Sequence, residues 1–155
     1  MNVRKAVKLF LPLLLFVATV VFIWSNSAKD AAESTLQSDG FGAWLRRLFD
    51  VEREPFRFLY ENRRKVAHFA EFFLLGIESA LLFVLNFDKK KLAFPCAFLL
   101  CALVAIVDEW IQHFVPGRVS AFLDVCLDAC GSFCAILFVW LVRRLCVLVA
   151  KNNSL

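Results

Sequence analysis

The chain has 155 residues, enough by length for one domain, and 61% of them are hydrophobic, against roughly 45–50% in a soluble domain. Leu, Val, Ala and 18 phenylalanines dominate, which excludes a water-soluble globule and requires an integral membrane protein. The net charge of +4 does not point to nucleic acid, because the basic residues flank apolar runs, where they act as topology signals.

A hydrocarbon core about 30 Å thick needs roughly 20 apolar residues per helix. The first run to qualify covers residues 7–24. Its basic flank, Arg4, Lys5 and Lys8, also suits a signal peptide. The run is long for that, however, and cleavage after Ala28 would put Asn26 where a small residue is required, so a retained anchor is expected.

Residues 25–65 follow, with seven acids against eight bases. Within them Phe41, Trp44, Leu45 and Leu48 recur at helical spacing, with Ser38 or Asp39 available as a cap. Two placements suit this segment: an amphipathic helix on the outer leaflet, or a small cap packed on the bundle. The aromatic piece from Phe56 to Tyr60 belongs to the same layer.

Three more spans are predicted, over residues 66–87, over 92–115 with a stop at Pro116, and over 121–142. The fold class is therefore an all-α integral membrane protein: four transmembrane helices and an amphipathic extracytoplasmic segment, in one domain over 1–155. None of the six cysteines forms a Cys-x-x-Cys pair. Cys126, Cys130 and Cys134 stripe one helix face and read as small hydrophobes at helix contacts or toward lipid.

Orientation follows from Lys and Arg in short loops. Four spans put the N-terminal bases, Lys89-Lys90-Lys91, and Arg143, Arg144 and Lys151 on one side, which is then cytoplasmic. With both termini inside, Arg64, Lys65, His68 and Glu71 stand at the outer end of span two. Asp108, Glu109, Gln112 and His113 stand at the outer end of span three. Arg118 lies in the outer turn, and Asp124 and Asp128 lie in the first two turns of span four. Three helices thus bring ionisable groups to one depth, although each charge costs about 2.5–3.5 kcal/mol at a helix centre in the bilayer.

The spacing supports a shared pocket. His68/Glu71, Asp108/Gln112 and Asp124/Asp128 are i, i+3 or i, i+4 pairs, each on one helix face. On span four the Asp face is nearly opposite the cysteine face, since two residues advance a helix by about 200°. Glu109 and His113 form a separate pair, expected to rim the site. Five acids, Glu71, Asp108, Glu109, Asp124 and Asp128, face three fixed bases, Arg64, Lys65 and Arg118. Protonated carboxyls, a charged His or a bound cation could relieve the surplus. His68, Glu71 and the aspartates could bind a metal, with Asp108, Asp124 and Asp128 as the candidate ligands for a divalent cation, a weak signal with hard oxygen donors. His68, Glu71 and Asp108 are the candidate catalytic residues. Glu78 lies about two turns from Glu71 on the same face and is expected to be a buried hydrogen-bonding residue.

The blocks Arg64-Lys65-x-x-His68-x-x-Glu71 with Gly76, and Asp108-Glu109-x-x-Gln112-x-Phe114-x-Pro116-Gly117-Arg118 with Asp124 and Asp128-x-x-Gly131, resemble the VanZ-like membrane protein family. Ser25-Asn26 resembles that family's segment after the first span, and the likeness runs from the anchor to the fourth span. Val119-Ser120 departs from the Gly/Ser-rich stretch such a protein would carry after Arg118. The resemblance implies a small four-span protein of the bacterial cytoplasmic membrane, some members being linked to teicoplanin resistance.

Three functions follow as expectations. The first is an outward-facing pocket of Arg64, Lys65, His68, Glu71, Asp108, Glu109, Gln112, Arg118, Asp124 and Asp128. It would bind a lipid-linked or peptidoglycan-related envelope ligand and lower susceptibility to teicoplanin-type lipoglycopeptides. The second is a membrane enzyme acting on a lipid phosphate, with His68 or Glu71 as general acid or base and Arg118 holding the anion. The third is a scaffold in which the polar set joins the helices.

Overall fold

A computed structural model describes residues 3–50, 52–87, 89–118 and 121–152, and all its regular structure there is helical. The elements are α1 (Val3–Ser27), α2 (Ala31–Leu48), α3 (Phe56–Glu61), α4 (Arg63–Asn86), α5 (Lys90–His113) and α6 (Phe122–Asn152). Among the described residues, α1, α4, α5 and α6 are long and apolar enough to cross a membrane. They run antiparallel in sequence, so the α1 C-terminus, the α4 N-terminus, the α5 C-terminus and the α6 N-terminus share one end of the bundle with α2 and α3. That end is the site end below.

The predicted spans match these helices closely, with one difference. The α6 helix continues ten residues past 142, to Asn152. Arg143 and Arg144 do not stop it because charged side chains leave the backbone hydrogen-bond ladder intact, and Arg144 lies over the Trp140 ring at 5.8 Å.

A core of Phe16, Val20 and Ile23 from α1, Phe72 and Leu75 from α4, and Cys101, Val104 and Ala105 from α5 holds three of the spans together. The contact of α4 with α6 is the most extensive in the molecule. Its cause is small residues. A Cβ on Gly131 would stand 2.7 Å from the Phe69 carbonyl oxygen, and one on Gly76 would stand 2.7 Å from that of Ser132. Bare glycines let the two backbones touch, as membrane helices without a hydrophobic drive between them require. Ser132 Oγ then donates to the Phe72 carbonyl across the seam at 3.2 Å, and Ser79 Oγ donates to Ala97 of α5 at 3.1 Å.

Glu78 is buried in mid-bundle and accepts from Thr19 Oγ1 at 3.0 Å, the hydrogen-bonding role expected of it. Cys126, Cys130 and Cys134 are exposed along α6, on the face turned away from the bundle.

The α2 helix starts earlier than its predicted caps. Asp30 caps it by accepting the Glu33 N–H at 2.9 Å, which leaves Ser38 and Asp39 inside the helix. A carboxylate directly after α1 is the better cap because it also closes the turn between the two helices. The apolar stripe divides: Leu45 is buried and Phe41 half-buried, whereas Trp44 and Leu48 are exposed. Arg63 of α4 pairs with Asp39, and Arg46 and Arg63 lie 4.3 and 5.4 Å from the Tyr60 ring. These charge and aromatic contacts join α2 and α3 to each other and to α4.

Candidate functional site

The site end owes its shape to two local features. The Gly131 contact with the Phe69 carbonyl presses α6 against α4 next to His68, and Asp128 lies one turn before Gly131. His68 Nδ1 and Asp128 Oδ1 come to 3.9 Å as a result. The second feature is the turn from Val115 to Arg118, closed by the Arg118 N–H on the Val115 carbonyl at 3.2 Å, with Gly117 at φ 75°. Pro-Gly at the centre of such a turn supplies the fixed φ and then the left-handed residue it needs. The turn brings Arg118 back over the helix ends.

Gln112 is the hub. Its Oε1 accepts from Arg64 at 3.2 Å and from Arg118 at 3.0 Å. Its Nε2 donates to Asp108 Oδ2 at 2.8 Å and to Ser27 Oγ at 3.4 Å. Arg118 also donates to the carbonyls of Lys29 and Asn26, at 3.2 and 3.0 Å. Its guanidinium thus staples the end of α1 to the end of α5. Burial, with Arg64 beside it, lowers the Arg118 pKa, while Asp108 and Glu109 act in the opposite direction. With three nitrogens already bonded to protein, Arg118 has fewer N–H groups to offer an anion than a fork at the mouth would. Arg64, exposed and bonded through one nitrogen, has more.

Glu109 corrects the sequence picture. It was expected at the rim and is instead buried, with Oε1 accepting the Ala121 N–H at 2.6 Å. The chain doubles back after Phe114, so the side of α5 that carries Glu109 meets the start of α6, where an acid is favoured by the unbonded N–H groups. His113, its predicted partner, is exposed and makes an edge contact with Phe114 at 5.3 Å.

Two clefts of about 220 Å³ each open at this end, and Arg64 and His68 line both. One also contains Asn26, Glu71, Arg118 and Phe41. The other contains Lys65, Gln112, Gly117, Asp124 and Asp128. Asp108 lies behind them, fully buried, and Asp128 is 2% exposed. His68, Asp108 and Asp128 each offer a ligand atom within 4.8 Å of the others. Asp124, expected with the two aspartates in a metal set, lies outside this trio and lines the cleft, one turn nearer the start of α6. Val119 and Ser120 lie outside the described residues.

The ten predicted pocket residues therefore gather at one end, with Glu109 serving the α6 start. Sequence reading missed the contribution of α1. Asn26 donates to Glu71 Oε1 at 3.3 Å, Ser27 is buried under Gln112, and Lys29 Nζ reaches Asn26 Oδ1 at 3.0 Å. Polar residues closing an apolar span were the available signal. Ser34 and Phe41 of α2, also unforeseen, wall one cleft.

No curated protein and no solved structure shows a significant match to the chain. The family model VanZ/LLP1 matches residues 9–143, which takes in most of α1, both clefts and α6 as far as Arg143. The match spans most of the chain and every residue of the site, and the protein belongs to the VanZ-like family.

Proposed function

We propose that this membrane protein binds an anionic cell-envelope ligand, lipid-linked or peptidoglycan-related, in a pocket facing outward from the bacterial cytoplasmic membrane. Binding there lowers susceptibility to teicoplanin-type lipoglycopeptides. The observation that carries this is the wall shared by the two clefts: Arg64 and His68, with Lys65 beside them, at the end of the bundle opposite Lys89, Lys91, Arg143 and Arg144. Basic residues gathered at that opposite end support a cytoplasmic assignment for it and an outward one for the clefts. Each cleft is smaller than the roughly 300–1,000 Å³ that encloses a drug-sized molecule. That size suits a head group whose chain stays in the bilayer.

The test expresses Asp108→Asn, Asp124→Asn and His68→Ala singly at wild-type abundance and measures teicoplanin susceptibility. A several-fold rise is expected in each. Unchanged susceptibility in all three, with a protective wild type, overturns the proposal.

An enzyme acting on a lipid phosphate is the alternative favoured by the 3.9 Å approach of His68 to Asp128, which suits an imidazole acting as general acid or base. It requires turnover of a phosphorylated envelope lipid that Asp108→Asn abolishes. A scaffold role predicts instead that these variants lose folded protein before they lose anything else.

A further inference from the structure

The His68–Asp108–Asp128 cluster contains two oxygens that the helix packing does not use. Asp108 Oδ1 and Asp128 Oδ1 are both inaccessible to solvent and make no hydrogen bond, although Asp108 is fully buried and Asp128 is 2% exposed. Asp108 Oδ2 accepts from Gln112 Nε2 at 2.8 Å, and Ser27 also hydrogen-bonds the carboxyl. A buried carboxylate oxygen with no hydrogen bond is costly, and two such oxygens beside an imidazole are the donor set a cation would satisfy.

We infer that His68, Asp108 and Asp128 form a binding site for a divalent cation of the Zn²⁺ or Mn²⁺ class. The three come from α4, α5 and α6, so the ion would tie together the three helices that surround the clefts. Their ligand atoms lie within 4.8 Å of one another. Tetrahedral ligands about 2.1 Å from a shared ion stand roughly 3.4 Å apart, so closing on one requires shifts of up to roughly 0.8 Å per ligand. One imidazole nitrogen with two carboxylates selects this class over Ca²⁺ and Mg²⁺, which take oxygen ligands throughout. His68 and Asp128 line the cleft that also holds Lys65 and Asp124, and fully buried Asp108 reaches both without lining it. The ion would keep an open position toward that cleft, as metal sites that bind a ligand do. The site goes beyond the envelope-ligand proposal and does not depend on it.

The test uses the purified full chain in nanodiscs of neutral lipid, with no envelope ligand present. The protein is stripped with chelator, exposed to Zn²⁺ or Mn²⁺, freed of excess ion by gel filtration and analysed for metal. About one ion per chain is expected, with affinity lowered roughly tenfold or more by His68→Ala and by Asp128→Asn. His113→Ala, at an exposed imidazole, leaves it unchanged. Mn²⁺-loaded protein should show nitrogen coupling in its electron spin-echo spectrum, and His68→Ala should remove that coupling while helical content and elution stay as in the wild type. If Asp128→Asn does not fold, His68→Gln, at a position packed less tightly, carries the comparison. Absence of both ions after filtration, equal binding by His68→Ala, or retention of Ca²⁺ or Mg²⁺ alone overturns the inference. Each of these leaves the susceptibility test of the ligand pocket standing.

Discussion

The two ends of the bundle use charge in opposite ways. At the terminal end Lys89, Lys91, Arg144 and Lys151 are exposed and Arg143 is half-exposed. Among the contacts there, Asn86 Nδ2 donates to the Lys8 carbonyl at 3.1 Å and Arg144 lies over Trp140. At the site end Asp108, Glu109, Gln112 and Asp128 are buried between helices, and Gln112 of α5 bonds to Ser27 of α1 and Arg64 of α4. Exposed cations cost the bundle little. Carboxylates in the seam are expensive, and the seam is shaped around them.

The largest effect should come from breaking the contact that creates the site end. Gly131→Leu drives a side chain into the Phe69 carbonyl, and we expect a loss of about 3 kcal/mol or more in detergent unfolding, with parting of α4 from α6. Gly40→Leu, where a Cβ meets nothing within 4 Å, should leave stability near wild type and so isolates close approach from helix propensity.

Gln112→Ala is next. It removes the acceptor for two arginines and the donor to Asp108 and Ser27, and should cost about 2 kcal/mol by the same unfolding measurement. A loss no larger than that of an exposed substitution would mean that the hub contributes position without stability.

The smallest effect belongs to the opposite end. Arg144→Gln removes one exposed cation and its contact with Trp140, and should shift stability by less than about 0.5 kcal/mol. A shift as large as that of Gln112→Ala would erase the contrast between the ends.

Much of this was legible in the chain. The four spans follow from runs of about 20 apolar residues because a bilayer admits few other solutions. Topology alone then carried His68, Asp108 and Asp128 to one depth, and the i, i+4 spacing of Asp124 and Asp128 put both on the inner face of α6. Glu109 was misjudged because a helical wheel gives direction around one axis and nothing about what stands there. The turn that brings Ala121 against it is a tertiary fact. Asn26 and Ser27 were missed for a similar reason: two uncharged polar residues at a span end have no periodicity to betray them.

The sequence by itself determined the class, the spans and the end of the molecule at which polar groups collect, because hydrophobicity and length act on each segment separately. Only the tertiary structure decided which of those groups touch. Helix rotation, the glycine contacts of α4 with α6 and the turn at Pro116-Gly117 together set side chains apart or together by a few ångströms. That is the scale that puts His68 with Asp128, gives Gln112 two arginines, and leaves Asp108 Oδ1 and Asp128 Oδ1 without a hydrogen bond.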